Sequence, residues 1–161
     1  MFTPEQERAI AEKISQLEKI KNGTLTLEDL ALSITLRRMR WLGSNFSTVF
    51  AKYKELRLEE LAYRAIYLDH MKINPDHSEM IRLSPTRIRI NSYNFCPYLI
   101  ACQKLDLDTR FVCKNIVEPG IQAVCEAIHP NLRFSRNYDN IRNIRSKTPE
   151  VCEEYIELRI R

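Results

Sequence analysis

Three glycines in 161 residues leave no glycine-rich loop to cradle phosphates, and they argue against long flexible linkers. No apolar run approaches the roughly 18 residues that suggest a membrane span, so no membrane partner is expected. The opening residues, Met1-Phe2-Thr3-Pro4-Glu5-Gln6-Glu7, are acidic and polar and do not read as a secretory signal. Five cysteines is an odd number, and no two stand at the two-residue gap of a zinc knuckle, ribbon or redox motif. These absences predict a cytoplasmic protein with free thiols. No repeat and no low-complexity segment occurs.

What is there suits a soluble globular chain, 44% hydrophobic and 29% charged. The net charge of +4 comes from cations interleaved with acids, which argues against nucleic acid as a partner. Thr3-Pro4-Glu5-Gln6 reads as a capping box with proline at the first helical position. Ile10, Ile14, Leu17 and Ile20 then form an apolar stripe, stopped by Asn22-Gly23. Thr26 opens a second helix, with Leu27, Leu30, Ala31, Ile34 and Met39 on its buried side and Gly43 expected to end it. A third helical region is predicted over 45–71, with a break near Leu56.

The period then changes to two. A short strand is expected over 80–83. The run 86–91 alternates Ile88 and Ile90 with Arg87 and Arg89. Helices follow at 97–105, 109–117 and 119–128, the last pair separated by Glu118-Pro119-Gly120. Strands follow at 132–138 and 152–160, with Cys152, Ile156, Leu158 and Ile160 inward. An irregular basic loop, 139–149, joins them. The order predicts an α+β fold, with N-terminal helices packed on a small antiparallel sheet flanked by short helices. One domain is expected over 1–161, with a helical part (1–78) and an α+β ligand-binding part (79–161).

Cys96 sits between a strand and Pro97, at or beside a helix N-cap. Free backbone N–H groups and the helix dipole there would activate the thiol; the other reading is a capping residue that only packs. An enzyme would pair Cys96 with a base, and His129 is the first histidine to test. Cys102, Cys113 and Cys125 lie among apolar residues and read as buried thiols. A zinc site drawn from Cys96, Cys102, Cys113, Cys125 and Cys152 stays open, because ligands need only meet in space. Arg87, Arg89, Arg133, Arg136, Arg142 and Arg145 form either a solvated charged face or a clamp for carboxylate or phosphate. Arg87, Arg89, Asn91, Tyr93, Asn94, Arg133 and Arg136 are the ligand-binding candidates, and a small anion is the expected ligand.

A strand, then Cys96-Pro97 with Cys102 on a short helix, more short helices, the strand at 132–138 and Cys152 opening the last strand together form a layout. It resembles the L-2-amino-thiazoline-4-carboxylic acid hydrolase-like proteins. It is also similar to 4-vinyl reductase and haem-type nitric-oxide-sensing ligand domains, which carry a cysteine just before their last strand. The resemblance covers Arg87 to Ile160. It departs at Thr148-Pro149-Glu150-Val151, where the family has a Gly-Asp or similar turn. The resemblance implies binding or hydrolysis of a small carboxylated or sulfur-containing molecule. It also implies ligand sensing and dimerisation, and the N-terminal helices are the expected homodimer face. The main alternative is a non-enzymatic sensor or assembly module with structural or zinc-binding cysteines. The weaker one is nucleic-acid binding through the basic loop.

Overall fold

The structure is a computed structural model, described for residues 1–142 and 151–160. Most of the basic loop, with Arg145, and the departing turn up to residue 150 lie outside the described residues. Helix α1 (Pro4–Lys21) opens as its capping box predicts. Gln6 N–H donates to Thr3 Oγ1 at 3.1 Å, and Thr3 N–H donates to Gln6 Oε1 at 2.9 Å. Gly23, just past its end, takes φ +81°, a left-handed conformation that glycine adopts without steric cost.

Helix α2 (Leu27–Lys52) corrects an expectation, since it runs straight through Gly43. A mid-helix glycine costs about 1 kcal/mol relative to alanine. Leu42 and Val49, both buried on the inner face, outweigh that, each contributing roughly 1.5–3 kcal/mol by burial. Helix α3 (Leu58–Tyr63) passes without a break into a π-helical turn, Arg64–His70. The sheet follows with β1 (Ser78–Ser84) and β2 (Arg87–Ser92). Next come α4 (Pro97–Leu105), α5 (Thr109–Val112), a second π turn (Cys113–Val117) and α6 (Glu118–Ile128). The expected break at Glu118-Pro119-Gly120 is absent. Pro119 falls in the first turn of α6, beside the π turn, where the α-helical bonding pattern has already changed and its missing N–H is tolerated.

Strands β3 (Leu132–Arg136) and β4 (Cys152–Leu158) complete a four-stranded antiparallel sheet, ordered β1-β2-β4-β3. This is the expected α+β fold. Ile88, Ile90, Leu132 and Ile156 are fully buried on its inner face. Ile160, expected inward, is 74% exposed because β4 stops at Leu158. The larger apolar cluster joins α2, α3, α6 and the sheet; the smaller joins α1, α2, α4 and the second π turn. Each draws on residues from both sides of residue 78. Among the described residues, no helix is long and apolar enough to cross a membrane.

Candidate anion-binding cavity

A cavity of about 390 Å³ opens between α1, α2, the two π turns, the start of α4 and one end of the sheet. That volume is at the small end of the usual range for ligand sites. Strand alternation delivers the sheet residues: Ser92 pairs with Cys152, and Arg136 with Glu154, all continuing the inner face. Helix α2 delivers Ile34, Arg37 and Arg38, α1 delivers Lys13, and the π turns deliver Tyr67, His70, Cys113 and Val117.

Glu154 is the fixed point. Its carboxylate accepts from Tyr67 Oη at 2.8 Å, Ser92 Oγ at 3.0 Å and Arg136 Nε at 3.0 Å. The side chains of Arg136 and Glu154 are 9% and 4% exposed. Burial works against the charge on Arg136, and Glu154 restores it. Arg136 Nη1 nevertheless finds no hydrogen-bond partner.

The remaining lining charges are cationic: Lys13, Arg37, Arg38 and Arg142. Arg38 Nε is buried without a partner. Its stem lies over Gly120, where a Cβ would stand 3.1 Å from Arg38 Cδ. Burial, then Arg37 and Arg136, push the Arg38 pKa down to about 10. Lys13 is buried against the Tyr98 ring, 5.1 Å from its centroid, and burial lowers its pKa too. Arg142 Nη1 donates to the Asn94 carbonyl at 2.6 Å, and its Nε to Cys152 Sγ at 3.3 Å. His70 stacks on Trp41 with centroids 4.6 Å apart. Burial, with Arg38 and Arg37 beside it, drops its pKa to about 4, so it is neutral at pH 7.

Of the sequence candidates, Cys96, Asn94, Arg136, Arg142, Cys113 and Cys152 meet at this cavity. The activated-thiol reading of Cys96 is corrected. Cys96 does cap α4, and the Leu99 and Tyr98 N–H groups pull its pKa down, but burial outweighs them and the thiol is raised. His129 is not at the cavity; it caps α6, and its Nδ1 accepts from Asn131 N–H at 3.1 Å. No cavity thiol is hydrogen-bonded to an imidazole or carboxylate among the described residues.

Arg87, Arg89, Asn91 and Arg133 lie on the outer sheet face, as the same alternation that buries Ile88 and Ile90 requires. Arg87 stacks on Tyr155 at 4.3 Å, and Arg133 donates to the Pro130 and Leu132 carbonyls. Tyr93 is 48% exposed and bonded to the Asp76 carbonyl. These five do not share a site with Cys96. Nor do the cysteines gather: Cys102 and Cys125 are fully buried in separate clusters. Among the described residues, no group of three or more His, Cys, Asp or Glu side chains is placed to hold a metal ion.

Sequence reasoning missed Lys13, Arg37, Arg38, Tyr67 and Glu154 and passed over His70. A signal existed for three of them. Lys13 lies between Ile10 and Leu17, Arg38 lies four residues from both Ile34 and Leu42, and Glu154 alternates with Ile156. Each is a charge on a stripe that must be buried. No family model, curated protein or solved structure matches the chain.

Proposed function

We propose that this chain binds a small organic anion with an apolar body in the cavity between α2 and the end of the sheet. The observation that carries the reading is the charge imbalance. Five cationic side chains border the cavity against the single carboxylate of Glu154, which already accepts three hydrogen bonds. Lys13 has Glu12 at 3.7 Å and Arg37 is exposed, but Arg38 and Arg136 are largely removed from water with a guanidinium nitrogen unpartnered on each. Such groups need a counter-charge, and guanidinium recognises carboxylate or phosphate well. Ile34, Met71, Ile73, Phe95, Val117 and Ile141 supply an apolar wall for the rest of the molecule. The carboxylated ligand implied by the resemblance belongs to the same chemical class. Binding is proposed rather than hydrolysis, because no thiol–base pair is formed among the described residues. All five cysteines are free, and a reducing compartment is the setting this reading takes.

The test is calorimetry and thermal shift with a graded series of alkyl and aryl carboxylates, their phosphate counterparts and their neutral amides. Acids are expected to bind and raise the melting temperature, since a ligand at 100 times its Kd stabilises by about 2.7 kcal/mol. Arg38→Gln is expected to weaken binding at least about tenfold, the loss of one charge-assisted contact. Equal binding of acid and amide, or unchanged binding by Arg38→Gln, overturns the reading.

A further inference from the structure

Three thiols line the cavity, Cys96, Cys113 and Cys152, and their settings differ. Burial raises Cys96 and pushes Cys113 up to about 12. Cys152 is half-buried and carries a cation on its sulfur, where Arg142 Nε donates to Sγ at 3.3 Å. That guanidinium is also held at its far end, because Nη1 donates to the Asn94 carbonyl at 2.6 Å. A cation that donates to sulfur stabilises the negative charge a thiol carries when it acts as a nucleophile. A thiol beside an arginine is not by itself a site, but a second feature of the same cavity points to a ligand. Arg136 lines it with a side chain 9% exposed and with Nη1 unpartnered. Arg136 pairs with Glu154 in the register, and Glu154 stands two residues along β4 from Cys152 on the same inner face. Two residues are about 7 Å of strand, so a small ligand can meet Arg136 with one group and Cys152 with another.

We propose that Cys152 adds covalently to the ligand of this cavity, and that the ligand is an unsaturated keto acid, with its carboxylate on a double bond conjugated to a ketone. This rests on the anion-binding reading above and narrows its ligand class. The carboxylate answers the unpartnered nitrogens of Arg136 and Arg38. The body beyond the ketone lies against the apolar wall. The double bond meets the sulfur. The Cys152 thiolate forms an S–C bond at the carbon β to the ketone. The double-bond pair moves to the α carbon as an enolate. That carbon then takes a proton from water, replacing the one the thiol gave up. Nothing is oxidised or reduced, and no group leaves. Acyl transfer would need a base beside the thiol, and no cavity thiol has an imidazole or carboxylate hydrogen-bonded to it among the described residues. Conjugate addition needs only a stabilised thiolate and a positioned acceptor, and Arg142 and Arg136 supply these.

The test uses the full chain with three probes: benzoylacrylate, its methyl ester, and the saturated acid benzoylpropionate. Binding of the saturated acid, read by calorimetry, tests the anion reading alone. Labelling by the two unsaturated probes is followed by intact mass and assigned by peptide mass spectrometry. Each rate is divided by the same probe's rate with glutathione. Benzoylacrylate is expected to add once, at Cys152, at least about tenfold faster than its ester on that scale, the worth of one charge-assisted contact. Benzoylpropionate should slow the labelling in proportion to its occupancy. Arg142→Gln should lower the labelling rate at saturating probe by at least about tenfold, and Cys152→Ser, with its fold checked by circular dichroism, should abolish labelling. If benzoylpropionate binds but Cys152 of the parent chain stays unlabelled, the covalent proposal falls and the anion reading stands. Labelling at another cysteine, or acid and ester reacting alike, overturns it in the same way. If neither acid binds, both fall.

Discussion

Glu154 and Arg136 neutralise each other where water hardly reaches, so losing one exposes the other's desolvation cost. Glu154→Gln is therefore expected to lower unfolding free energy by about 3–5 kcal/mol, read as a fall in the urea midpoint with an unchanged slope. Tyr67→Phe, which removes one hydrogen bond to that carboxylate, should cost about 1.5–3 kcal/mol. The thiols give a second expectation. Burial pushes Cys102 up to about 11 and Cys113 and Cys125 up to about 12, and it raises Cys96 as well. Iodoacetamide at pH 7 should leave these four unlabelled in the folded protein and label them in urea, read by mass spectrometry. His70 carries a pH dependence. Unfolded, it takes a proton near pH 6.5; folded, it does so only near 4. Stability is thus lost as pH falls from about 6.5 to 4 and falls no further from this group below that. His70→Gln should flatten that part of the stability curve. At this scale the sequence was only partly legible. Cys96 was found from its backbone setting, but its pKa depends on a desolvation that only the packed chain supplies. Glu154 shares the inward parity of Ile156, but its role was hidden because its partners are distant: Tyr67 is 87 residues away and Ser92 is 62.

Helices α2 and α6 make a main contact of the molecule, and Gly120 lets them meet over the Arg38 stem. A Cβ at Gly120 would stand 3.1 Å from Arg38 Cδ and 3.3 Å from its Nε, so the guanidinium must shift. Gly120→Ala should gain up to about 1 kcal/mol of helix propensity, partly lost to that crowding. It should weaken anion binding several-fold, and calorimetry beside thermal melting separates the two effects. Most elements could be placed from pattern alone. The capping box at Thr3, the start at Thr26, the alternation of Ile88 and Ile90, and the antiparallel sheet all follow from local chemistry. Boundaries failed where tertiary contacts overrode local signals. Gly43 and the Pro119-Gly120 pair look like stops, yet inner-face burial carries α2 through one, and a π turn prepares α6 for the other. The π turns themselves left no trace in the periodicity, because one wide turn shifts the stripe too little to be told from a ragged α-helix.

Both apolar clusters need residues from either side of residue 78, and so does the cavity, whose lining runs from Lys13 to Glu154. The chain is accordingly expected to fold as one cooperative unit. Fragments 1–78 and 79–161 made separately should show no cooperative thermal transition. Limited proteolysis should not yield a stable core beginning near Arg82; such a core would mean that the sheet stands alone. The two wide turns that border the cavity carry one more consequence. A π turn closes its bond over one residue more than an α turn, so each segment holds chain that an ordinary helix would not need. Deleting one residue within 64–70, or one within 113–117, would rotate the neighbouring helix by about 100° and withdraw Tyr67 and His70, or Cys113 and Val117, from the space. The size of the ligand this fold accepts is thus open to change by single-codon insertions and deletions, without altering the residues that meet the charge.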